Sequence, residues 1–189
     1  MTSLAPKRTS VAVMTGGAGA AVLSQLLGRS VRMVTGVPFV PSVVVGFPRA
    51  TLLLSAAGAL GRPGLLTLMG AVEGLLLFVT GGAFPFALLA PTVSAAVTDV
   101  VGLALRGRMS EQKLLPILGA TLSLGRIVTA LTVWLVWGPP RFAGRFALQP
   151  WMLVAVLGLN VVVGVLGGLL AGRLLPYLRG LGLRYEPAR

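Results

Sequence analysis

Apolar positions in this chain come in long unbroken runs rather than in alternation. Residues 11–28, 74–98 and 146–172 contain no charged side chain, and about 20 apolar residues suffice to cross the hydrocarbon of a bilayer as a helix. The strict in-and-out alternation of a membrane barrel strand is missing. Backbone groups in lipid find no water to bond, so each crossing is expected to be helical. With glycine, proline and charge as punctuation, the pattern predicts helices at about 11–28, 39–60, 64–80, 84–105, 114–137 and 151–175. The expected fold is an all-α integral membrane protein, a bundle of six transmembrane helices forming a single domain over 1–189.

Two connections carry their own chemistry. Arg62, Pro63 and Gly64 predict a tight turn between the second and third helices, with Pro63 opening the third, where its missing N–H would be unpaired anyway. Residues 37–48 hold Pro38, Pro41 and Pro48. They predict a Pro-rich broken loop before the second helix, dipping into the membrane against protein or a cavity.

Composition strengthens the membrane reading. The chain is 56% hydrophobic with mean hydropathy +0.93, only 6% aromatic, and contains 26 glycines, a mixture suited to helices that approach closely in lipid. The net charge of +12 would suit nucleic acid if it formed a patch. Instead the basic residues flank the apolar runs singly or in pairs, so no nucleic-acid partner is expected. With the N-terminus in the cytoplasm, inside segments hold ten basic residues, Lys7, Arg8, Arg62, Arg106, Arg108, Lys113, Arg173, Arg179, Arg184 and Arg189. Outside segments hold four, Arg29, Arg32, Arg141 and Arg145. The excess predicts both termini inside. Trp134, Trp137 and Trp151 then fall at the outer interface, where indole rings favour the boundary. The first run is long for a signal-peptide core and is expected to be a retained span.

The residue inventory removes most chemistry. There is no His and no Cys, which rules out zinc or Ser–His hydrolysis and a disulfide framework. Asp99 is the sole Asp among four carboxylates, too few for a two-aspartate protease or a divalent-metal transferase. The lysines, Lys7 and Lys113, stand in no phosphate-binding loop. The chain is expected to be no enzyme, to hold no cofactor or metal, and to leave any ATP use to a partner.

Apart from Arg173 at the inner end of the sixth, the charged residues within the predicted spans are Arg49, Glu73, Asp99 and Arg126. Each costs about 2.5–3.5 kcal/mol at bilayer depth on insertion scales, so each is expected to face protein or a cavity. Arg49, Glu73 and Arg126, with Asn160 on the sixth helix, are expected near mid-membrane, lining a small polar cavity open to the outside. A guanidinium fork would hold carboxylate, phosphate or carbonyl groups there, while Glu73 and Asn160 would take N–H or hydroxyl donors. An ion pair between Glu73 and Arg49 or Arg126 that holds the bundle together accounts for the same residues. Asp99 is expected to anchor the inner half through a neighbouring basic residue. Small residues at Ala12, Gly16, Ala20 and Ser24, and again at Gly164, Gly168 and Gly172, line one face of the first and sixth helices. Such faces serve packing within the bundle or docking of another membrane protein, and the first is expected to be the docking face.

With these residues in place, the chain resembles the substrate-binding (S) component of an energy-coupling factor (ECF) type vitamin transporter. The resemblance spans most of the chain and rests locally on the Arg62, Pro63, Gly64 turn, on Gly81, Gly82 and Pro85, and on residues 91–99 with Pro91 and Asp99 at their ends. It implies a receptor in the bacterial cytoplasmic membrane that captures a vitamin or vitamin precursor from outside. It would work with a transmembrane coupling subunit and two ATPase subunits, and Ala12, Gly16 and Ala20 would meet the coupling subunit. The branch of the family handling thiamine and its hydroxymethylpyrimidine precursor has a similar length and turn, which implies such a ligand. The branch handling nickel or cobalt uses an N-terminal His, absent here. Two other functions fit the residues: a non-transporting interaction or assembly protein, and a small secondary carrier with Glu73 or Asp99 carrying a proton.

Overall fold

The computed structural model describes residues 4–35, 40–81, 85–137 and 150–180. They form six α-helices and no strand: α1 Leu4–Thr35, α2 Val40–Leu60, α3 Leu65–Val79, α4 Phe86–Leu105, α5 Glu111–Trp137 and α6 Pro150–Gly180. All but α3 are long and apolar enough to cross a membrane. The protein is a multi-pass membrane protein. The 15 residues of α3 reach about 22 Å at 1.5 Å per residue, short of a hydrocarbon core of about 30 Å.

Neighbouring helices close a ring in the order α1, α2, α6, α5, α4, α3 and back to α1, and α2 also reaches across it to α3 and α5. Consistent with that central place, 56% of α2's span is buried against 28–33% for the other long spans. The core runs down the ring interior through Leu53, Leu54, Met69, Ala95, Leu122 and Ala171. On the outside stand Val11, Val22, Leu75, Val100, Val154 and Leu169, an apolar exterior that suits lipid and not water.

The close approaches are made at glycines. A Cβ on Gly119 of α5 would strike the backbone of Gly164 and Gly168 of α6, and one on Gly168 the backbone of Leu115 and Pro116. A Cβ on Gly70 or Gly74 of α3 would come within 2.6 Å of the carbonyl of Pro91 or Leu88 of α4. The α6 stripe therefore packs inside the bundle against α5. The α1 stripe faces inward too: Ala20 is fully buried, Gly16 abuts the Met69 thioether and Ala12 packs on the core. The face expected to dock a partner is covered by α3 and α2 of the same chain, and α1 turns Val11, Met14, Val22 and Leu26 outward instead.

Three local expectations are corrected. No broken loop occupies 40–48: α2 is helical from Val40 and runs through Pro41 and Pro48, since one missing N–H is tolerated where neighbouring helices pack closely. Residues 36–39, with Pro38, lie outside the described residues. Pro63 does not open α3; it sits in the turn, and the helix begins after Gly64, whose φ of 81° and that of Gly61 at 64° are backbone conformations glycine adopts freely. The carbonyl of Gly64 accepts the first helical bond from Leu68 N–H at 3.1 Å. Finally, α1 extends to Thr35, so Arg29 and Arg32 lie on a helix and not in a loop. Trp134, Trp137 and Trp151 fall in the last turn of α5 and the first of α6, and their side chains lie outside the described residues. So do Arg141, Arg145, Arg184 and Arg189 of the charge tally.

Candidate binding site

Glu73, Arg49 and Arg126 come from the middles of α3, α2 and α5, and the ring brings them together at its centre. Glu73 is fully buried and Arg49 is 1% exposed. The Nε–H of Arg49 donates to both carboxylate oxygens of Glu73, at 2.8 and 2.9 Å. Ser24 of α1 donates its hydroxyl to Glu73 Oε1 at 3.2 Å. Arg126 reaches the same oxygen at 3.7 Å, an ion pair without hydrogen-bond contact. Four helices thus converge on one carboxylate. Charge-assisted bonds in a low-dielectric interior bind tightly, which fixes the relative height of α1, α2 and α3.

The arrangement is not the bidentate fork. Arg49 meets Glu73 through one nitrogen, and its Nη2 is buried with no hydrogen-bond partner. Arg126 keeps a quarter of its side chain accessible. It shares a face with buried Gly119, Leu122 and Ser123, at helical spacings of seven, four and three, the face that α5 turns to its neighbours. Glu73 Oε1 is shared by Arg49, Ser24 and Arg126, and its Oε2 accepts from Arg49.

Asn160 joins this level from α6 by another route. Its side-chain N–H donates to Val156 O at 2.8 Å and to Ser42 Oγ at 3.5 Å. Its oxygen lies 3.7 Å and the Ser123 hydroxyl 3.8 Å from where a Cβ on Gly46 would stand, one turn of α2 from Arg49. Ser123 Oγ is buried without a partner. Sequence reasoning missed Ser24 and Ser123 as members of the layer. The signal was present in spacing, Ser123 standing three residues before Arg126 and Ser24 four after Ala20, each on the same face of its helix.

Asp99 belongs elsewhere. Its Oδ2 accepts the backbone N–H of Thr67 at 2.8 Å and the Thr67 hydroxyl at 2.6 Å. It therefore caps the start of α3, where Gly64 offers no side chain. At the same end of the bundle Arg106 donates to Gly61 O at 3.0 Å, and Arg179 donates to Gly58 O at 3.1 Å while pairing with Glu111 at 2.5 and 2.8 Å. A cavity of about 130 Å³ lies among these groups. A wider groove of about 880 Å³ between α4, α5 and α6 is lined by Leu89, Val93, Ile117, Val128 and Val161.

No protein-family model matches this chain, and neither the curated proteins nor the solved structures contain a match to it.

Proposed function

We propose that this chain is the membrane-embedded substrate-binding component of an ECF-type importer, spanning the bacterial cytoplasmic membrane six times with both termini inside. It captures a vitamin or vitamin precursor at the layer of Arg49, Arg126 and Asn160, with Glu73 holding the two guanidinium groups in place. A transmembrane coupling subunit and two ATPase subunits supply the energy. The observation that carries this reading is the gathering of ionised side chains from three helices at mid-height, with a quarter of the Arg126 side chain accessible. Charge is retained at such depth where it serves a polar cavity or pathway.

The test is mild extraction of the tagged chain from its native membrane, followed by mass spectrometry of the proteins that accompany it. A coupling subunit with paired ATPases in fixed ratio supports the importer. Another membrane protein in their place, with no ATPase, overturns it. One observation favours a second reading, an interaction or assembly protein with structural charges: Glu73 is wholly buried and bonded on both oxygens. That protein would bind no small molecule saturably.

A further inference from the structure

The charge count of the central layer does not close. Glu73 supplies one negative charge and Arg49 with Arg126 supply two positive ones, leaving one uncompensated cation at a depth where charge is expensive. Its location is specific. Glu73 already takes both bonds from Arg49 Nε–H, while Arg126 stands off at 3.7 Å with a quarter of its side chain accessible. Beside it Arg49 Nη2 is buried and lacks a partner. An unsatisfied, buried guanidinium N–H next to an accessible guanidinium is the donor set of an anion site, because two convergent charge-assisted donors recognise the oxygens of a carboxylate or phosphate.

We propose that the molecule bound at this layer carries an anionic group, a carboxylate or a phosphate, that docks on Arg126 and draws on the free N–H of Arg49. This rests on the receptor reading given above and names the class of its ligand. A cationic ligand such as the thiazolium of thiamine would enter a site whose only carboxylate is already occupied, and would bring the layer to two uncompensated positive charges. An anion instead brings it to neutrality. The ligand's remaining polar atoms meet Asn160 and the unpartnered hydroxyl of Ser123.

The experiment is to extract the tagged full-length chain mildly, release its small molecules, and identify them in both ion polarities against the amount of protein. A near-stoichiometric anion, retained by Arg126→Lys and reduced at least ~10-fold in Arg126→Gln, is the expected result; truncating one partner of a desolvated charge pair weakens binding on that scale. Molecular mass distinguishes a small solute from a phospholipid, and a phospholipid with the same dependence on Arg126 assigns the anion to a lipid headgroup. A stoichiometric cation or neutral molecule overturns the anion assignment and leaves the receptor intact. The absence of any small molecule at that ratio overturns both. The wild-type result decides the ligand's charge even if Arg126→Gln fails to fold.

Discussion

Glu73 and Asp99 are both carboxylates on apolar helices, and their surroundings give them different tasks. Glu73 neutralises guanidinium groups at mid-height, so truncating it strands charge. Glu73→Ala is expected to cost about 3–5 kcal/mol, read as a drop in the melting temperature of the detergent-solubilised protein. Replacing Arg49 and Glu73 together by Met removes both members of the closest pair, and most of that loss is expected to return. If the double variant is as unstable as the sum of the two single ones, the pair is not coupled. Asp99 acts as a cap supplied from a neighbouring helix. Asp99→Ala is expected to cost about 1–2 kcal/mol and to lower hydrogen-exchange protection at the Thr67 amide, while Asp99→Asn, which keeps an acceptor oxygen, retains much of both. Unaltered protection at Thr67 in the Ala variant would refute the cap.

At the scale of elements, glycine sets how close helices come. α5 and α6 touch backbone to backbone at Gly119 and Gly164, and without a hydrophobic force between helices in lipid such contact supplies much of the association. Gly164→Ala is expected to force the two helices apart and destabilise the bundle by at least about 1–3 kcal/mol. Gly158, on the same helix, has nothing within 4 Å of its missing Cβ; Gly158→Ala is expected to be neutral or to stabilise by up to about 1 kcal/mol. Melting temperatures of the two variants separate packing from helix propensity, and equal responses would contradict the interface. α3 shows the complementary case. Too short to reach across a bilayer by itself, it is held by glycine contacts to α4, by the cap from Asp99 at its start, and by Arg29 of α1, which donates to Thr80 O at 3.1 Å just past its end. A cation at a helix C-terminus also complements the helix dipole.

For the whole molecule, the ring order places α2 centrally, and one end of the bundle concentrates Arg62, Arg106, Arg108 and Arg179 with Glu111. The proposed orientation puts that end in the cytoplasm. A cysteine replacing exposed Ser110 is expected to react with a membrane-impermeant maleimide only after cells are opened, and one replacing exposed Gly81, at the opposite end, in intact cells. The reverse pattern would invert the topology. The clamp of Arg179 on Glu111 and Gly58 O joins α6 to α5 and α2 at that end. Its ion pair is partly exposed and contributes at most about 1 kcal/mol, so its loss in Glu111→Gln is expected to leave the fold intact in a melting experiment.

Six helices, their approximate limits and the membrane setting were legible from the sequence, because the length of an apolar run and the charges that bound it are local properties of the chain. That Arg49, Glu73 and Arg126 would be drawn together was also legible, since ionised groups in apolar helices have few alternatives to one another. Which atoms meet was not. The pairing through a single nitrogen of Arg49, the approach of Ser24, the cap that Asp99 gives Thr67, and the burial of the Ala12, Gly16 and Ala20 face all depend on the order of helices around the ring. The same small residues serve an internal seam or an external one. Likewise Pro48 signals a break when read alone, yet α2 carries it without one. Those choices were decided only by the tertiary structure, because they turn on which neighbour covers a face and satisfies its polar groups, a property that no single helix carries.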